Sequence, residues 1–170
     1  RWRGKSEPPD LRTLVTIRCG DRLCALDRAA VREVTPVPEL SRPPSLPSSV
    51  EGLMNLAGEA IVVIDLARLL GVTPDSEVDP LYRHVIVLGQ DDNLTALLVD
   101  RVEDVRRIEH NAVTPADEKT SVNDCVVGQV DINGATAHLL DVGRIFLAAE
   151  RTRFADIRRS EQARLDALEA

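Results

Sequence analysis

Short runs of apolar and β-branched residues, broken every few positions by turn residues, fill the chain from residue 11 to residue 140. Residues 11–19 and 22–26 flank Gly20-Asp21 and predict a hairpin. Asp27 is placed to cap one helical turn through Ala30, and Val31-Arg32-Glu33-Val34 alternates as a third strand. Residues 36–47 hold five of the ten prolines, which excludes a central strand or a helix. A stiff crossing loop is favoured there over a polyproline ligand for another module. Residues 50–56 and 59–64 predict strands joined at Ala57-Gly58, and Asp65 caps a short helix, 66–70, that Gly71 stops. Residues 72–80 are acidic and Pro-bearing and predict the connection between two halves.

The second half follows the same plan. Strands are predicted at 82–88 and 94–99, and residues 102–105 alternate. Residues 111–124 are polar without a period and predict a loop. Residues 125–132 and 135–140 flank Asn133-Gly134, a strong hairpin signal, and Asp141 caps a short helix through Ala149. The tail from Glu150 carries ten charges and predicts a separate surface helix with a weak stripe of Phe154, Ile157, Leu165 and Leu168. Residues 1–10 predict a flexible arm.

The halves are an internal repeat. Gly52, Gly58, Asp65 and Arg68 recur as Gly128, Gly134, Asp141 and Arg144 at a constant offset of 76. Val31, Glu33 and Val34 recur as Val102, Asp104 and Val105 at an offset of 71. The difference is a five-residue insertion, placed in the loop at 111–124. Five short strands per unit predict an all-β fold of two small five-stranded barrels, each marginal alone at about 75 residues and therefore packed together.

Composition narrows the function. The net charge of −7 and an aromatic content of only 2 % count against nucleic acid as a partner. No apolar run reaches the ~18 residues that cross a membrane. Cys19, Cys24 and Cys125 lack paired C-x-x-C spacing and read as small core residues of a reducing compartment. His84, His110 and His138 have no metal-ligand spacing. Asp65 and Asp141 are the candidates for paired carboxylates in acid/base work, but their identical places in the repeat favour helix caps. Gly58, Gly128 and Gly134 read as turn glycines. No catalytic residue, cofactor or metal site emerges.

The run Val50-Glu51-Gly52-Leu53-Met54-Asn55-Leu56-Ala57-Gly58 through Ile64-Asp65-Leu66 and on to Gly71 resembles the signature of the CheW-like family, the coupling proteins of bacterial chemotaxis arrays. Residues 20–26, 31–34 and 97–102 resemble its hairpins and third strand, and the resemblance covers residues 11–149. It implies two intertwined barrel subdomains and a non-catalytic adapter. Its partners would be the cytoplasmic tip of methyl-accepting receptors, the regulatory domain of a CheA-type histidine kinase, and other CheW-like proteins, in cytoplasmic arrays at the membrane. It implies a receptor-facing surface at Val31, Glu33, Val34, Asn55 and Ala57, against the plainer reading of Val31 and Val34 as core. The family's arginine is replaced here by Ala57, and its following proline by Val62 or Val63. That arginine is expected to pair with the acid at Glu33, so Arg32 or Arg68 is a candidate substitute. The alternative reading, motivated by Arg1 in place of Met, is a CheW-like regulatory module from a larger signalling protein.

Overall fold

A computed structural model describes residues 10–73, 77–90, 93–116 and 125–169. Residues 1–9 of the expected arm, most of the loop at 111–124 and the side chains of Phe154 and Ile157 lie outside the described residues. The first half supplies β1 (Leu11–Cys19), β2 (Arg22–Asp27), β3 (Val31–Pro36), β4 (Val50–Leu56), β5 (Glu59–Asp65) and the helix α1 (Leu66–Leu70). The second supplies β6 (His84–Gln90), β7 (Asn93–Val99), β8 (Arg101–Glu109), β9 (Thr114–Pro115), β10 (Val126–Ile132), β11 (Ala135–Leu140) and the helix α2 (Val142–Glu169).

These strands form two sheets, and each sheet draws on both halves. One has the order β8-β1-β2-β11-β10-β9, and the other β3-β6-β7-β5-β4. The opening hairpin of each half thus sits in the sheet of the other half's later strands. The seams are parallel pairs, Ala25 with Leu139 across β2/β11 and Ala96 with Val63 across β7/β5. These four positions are related by the offsets of 71 and 76, so the repeat extends to the pairing register. It extends to the bulges as well: the ladder slips between Val50 and Gly52 and again between Val126 and Gly128. In each sheet the chain runs from one edge strand round to the other. β8 leads into β9 beside β10, and β3 leads to Ser41, which bridges to Leu53 of β4.

The apolar runs are explained by three cores. Leu14, Leu23, Ala25, Val130 and Leu139 fill the inner face of the first sheet, and Met54, Ile61, Val63, Val85 and Val87 that of the second. Between the sheets lies a larger core with Val15, Ile17, Leu26, Ile64, Ile86 and Leu97. In β6, Val85 and Val87 face the inner core while Ile86 and Leu88 face the intersheet core. A strand buried on both faces loses its polar alternation, which is why this segment reads as a continuous apolar run.

Three expectations need correction. The helix after Asp141 does not stop at Ala149 but runs unbroken for 28 residues to Glu169, about 42 Å at the rise of an α-helix. Asp27 makes no side-chain cap to the turn at Arg28–Ala30, since its carboxylate accepts from Arg12 at 2.9 Å instead. Gly128 is not in a turn. It lies in β10, where a Cβ would come within 2.7 Å of Val113 Cγ1 and 3.1 Å of the Thr114 carbonyl oxygen. Its counterpart Gly52 is pressed in the same way by the Ser41 carbonyl oxygen at 2.9 Å. The repeated glycine makes room for the segment that crosses from one sheet edge to the other.

Candidate docking surface

The third strand divides its residues. Val31 is buried in the intersheet core, whereas Glu33 is exposed and Val34 keeps 40 % of its surface in solvent. The bulge at Arg32 in the pairing of β3 with β6 breaks the alternation and puts Glu33 and Val34 outward together. Val31 is therefore core, and Glu33 with Val34 forms an exposed polar and apolar pair at a sheet edge.

Asn55 and Ala57 belong to the hairpin between β4 and β5. The Gly58 amide donates to Asn55 Oδ1 at 2.9 Å, and the Gly134 amide donates to Asp131 Oδ1 at 3.0 Å in the equivalent turn. Ala57 and Asn133 both adopt left-handed backbone, with φ of 51° and 53°, followed by Gly58 and Gly134 at 89° and 82°. Asn55 is thus committed to its own turn. Ala57 lies at the tip joining the edge strand β4 to β5, while Glu33 lies in the opposite edge strand.

The expected substitute cation at Arg68 is occupied elsewhere. Its guanidinium donates to Glu51 at 2.7 Å and to the Ser48 carbonyl oxygen at 2.8 Å, and stands 3.5 Å from Asp65. Asp65 and Asp141 each accept from the backbone amide three residues on, Arg68 and Arg144, both at 3.3 Å. They sit at the starts of α1 and α2 and cap them there.

A groove not anticipated from the residues runs between α2 and the outer face of the second sheet. Its volume is about 910 Å³. Leu53, Val62, Ile64 and Leu94 line one side, Leu46, Pro47 and Ser49 of the proline-rich loop line one end, and Phe146, Ala149, Glu150, Arg153, Asp156 and Ser160 of α2 line the other side. Ile64 belongs to the intersheet core and Phe146 packs against it, so the groove is the open continuation of that core. Val62, 39 % exposed, is the signal that sequence reading passed over, because a strand with Val at both 62 and 63 does not say which side faces water.

The remaining reactive groups are closed off. None of the three cysteines is in a disulfide, and all are buried. Burial pushes the Cys24 thiol up to about 12, and burial together with neighbouring Cys24 pushes Cys19 higher still, so neither is a nucleophile near neutral pH. Among the described residues no cluster of His, Cys, Asp or Glu is placed to hold a metal ion, and no helix is long and apolar enough to cross a membrane.

Known proteins agree with this architecture. The model of the CheW-like domain matches residues 13–150. A probable chemotaxis protein CheW of Rhizobium etli is 33 % identical over 111 residues, spanning 65 % of this chain and 70 % of that protein. The chemotaxis protein CheW of Rhizobium meliloti is 28 % identical over 143 residues, spanning 82 % of this chain and 90 % of the other. The crystal structure of the scaffolding protein TtCheW from Thermoanaerobacter tengcongensis shares the fold, with a TM-score of 0.74 at 23 % identity over 85 % of this chain and 94 % of that one. With a family match across nearly all of both sheets, this chain belongs to the CheW-like family.

Proposed function

We propose that this chain is a non-catalytic adapter of a chemosensory array, coupling the cytoplasmic tip of methyl-accepting receptors to the regulatory domain of a CheA-type histidine kinase. The observation that carries the reading is the groove at the end of the intersheet core, apolar along its sheet wall, on a chain of this family. An amphipathic receptor helix lays its apolar face into such a groove. Glu33 and Val34 then supply a second contact on β3, a charge beside an exposed valine. The kinase domain, itself CheW-like by the family resemblance, docks barrel against barrel through an apolar patch with a polar rim.

The test is binding of the purified chain to a receptor-tip fragment and to the kinase regulatory domain from the same genome. Glu33→Lys is expected to weaken receptor binding roughly tenfold, about 1.4 kcal/mol, with the kinase affinity and the urea midpoint unchanged. Unchanged receptor affinity removes β3 from the receptor surface. If the unaltered chain binds neither partner, the adapter reading is wrong.

A further inference from the structure

The internal repeat makes each sheet a control for the other. In the first sheet one side chain ties the edge strand β8 to the turn between β10 and β11. The Arg106 guanidinium donates through Nε to the Asp104 carboxylate at 3.1 Å and through Nη1 to Asn133 Oδ1 at 3.3 Å. Leu23 and Ile132 line the same cleft, and each keeps only 8 % of its surface in solvent. The second sheet has the matching strand order, with β3 in the place of β8 and β4 and β5 in the places of β10 and β11. The register matches too. Asp104 pairs with Thr16 and Val102 with Ile17, and the ladder slips across Glu103. Glu33 pairs with Val87 and Val31 with Leu88, and the ladder slips across Arg32. Glu33 therefore stands where Asp104 does, Thr35 where Arg106 does, and Ala57 where Asn133 does.

Two of the three members of the bridge are missing from the second sheet. The Thr35 hydroxyl donates to the neighbouring Pro36 carbonyl oxygen at 2.7 Å, and Ala57 offers no side-chain acceptor. The acid remains. Glu33 is exposed, and among the described residues its carboxylate has neither an ion pair nor a hydrogen bond. The apolar residues beneath are less covered as well: Leu56 and Leu94, the counterparts of Ile132 and Leu23, are only partly buried. Leu94 also lines the groove beside α2, which sets this seam next to the groove.

We propose that the seam between Glu33 and the turn at Ala57 accepts one basic side chain from the receptor helix, which does in the second sheet what Arg106 does within the first. The charge is set by Glu33, an exposed carboxylate left without the cation that its counterpart Asp104 holds. The aliphatic stem of an arginine or lysine has apolar surface to lie on, at Val34 and at the partly buried Leu56. This inference rests on the reading of β3 as a receptor contact and adds the chemistry that the receptor carries there.

The probe is a receptor-tip fragment from the same genome, titrated against the full chain. Each lysine and arginine of the fragment is changed singly to glutamate. One of these changes is expected to weaken binding to the unaltered chain roughly tenfold, and that same fragment is expected to bind the Glu33→Lys chain roughly tenfold more tightly than the unaltered fragment does. A chain with Thr35→Arg and Ala57→Asn together rebuilds the bridge of the first sheet. It is expected to lose receptor affinity by a similar factor, to keep its affinity for the kinase regulatory domain, and to unfold at no lower urea concentration. If Glu33→Lys weakens binding but no charge reversal in the fragment restores it, the inference is overturned while β3 keeps its place on the receptor surface. Receptor affinity left unaltered by the rebuilt bridge overturns it as well. Unchanged receptor affinity in the Glu33→Lys chain removes β3 from the receptor surface, and the inference falls with that reading.

Discussion

Ala57 occupies a backbone position suited to another residue. Left-handed φ costs a residue with a Cβ about 1 kcal/mol relative to glycine, and asparagine is the side chain best adapted to it. The equivalent turn places Asn133 at the same φ. Ala57→Asn is therefore expected to stabilise the chain by roughly 0.5–1 kcal/mol, read as a higher urea midpoint at unchanged slope. An arginine at this site relieves none of that strain, so a family arginine there answers to contact rather than to folding. Several single-residue roles were legible in advance: Gly58 and Gly134 from their turn chemistry, Asp65 and Asp141 from their place before a helix. Others were not. Gly128 looked like a turn residue because its actual role, clearance for a chain segment that would press a Cβ to within 2.7 Å, depends on a neighbour 15 residues earlier at Val113. That Arg68 is already spent on Glu51 was not legible either, because no local pattern carries it.

Among the elements, β11 carries a half-buried imidazole at a seam. His138 pairs with Cys24 across the parallel junction of β11 and β2, and its Nδ1 is buried without a partner among the described residues. Burial, and then the nearby Arg22 charge, hold its pKa below the ordinary value of 6.5. Below pH ~6.5 the unfolded chain therefore binds a proton that the folded chain resists, and stability falls as the pH falls through that window. Above it the residue contributes no pH dependence. His138→Gln is expected to remove this component, so that the urea midpoint drops less between pH 7 and pH 5.5 than in the unaltered chain. Most strands were legible almost to their ends, because turn residues stand at their borders, but β8 runs over residues 101–109 where only 102–105 alternates, and β9 lies within the expected loop. The length of α2 was not. Charges rise abruptly at Glu150, and the change suggested a new element, yet Glu, Arg, Ala and Leu all continue a helix and no glycine or proline follows Gly143 to end it.

The whole molecule is interlocked. Since each sheet takes two strands from one half and the remainder from the other, neither half holds a complete sheet. A fragment of residues 1–73 is expected to be unfolded by circular dichroism, as is a fragment of residues 77–170, while mixing the two restores the β spectrum. Unfolding of the intact chain should follow one transition by every probe. A stably folded single half contradicts this account. The repeat at two offsets was visible in the sequence, and so was the count of five strands in the first half; the second half adds a sixth, the two-residue β9, which makes one sheet six-stranded. Which strand pairs with which half was not carried by that pattern, because an alternating strand fits either a sheet of its own half or the matching sheet of the other.

The chain passes between the sheets at the turn of Arg28–Ala30 and again at Asp100. At the second passage the buried Asp100 carboxylate accepts from the Gly20 amide at 2.7 Å, with the Arg83 guanidinium 3.6 Å away. An adapter is pulled from two sides by the bodies it joins. Here a pull that separates the sheets is borne by covalent main chain at both passages as well as by side-chain packing. Such a joint transmits load as a rigid link does, and it fails only when whole strands are drawn out of their ladders.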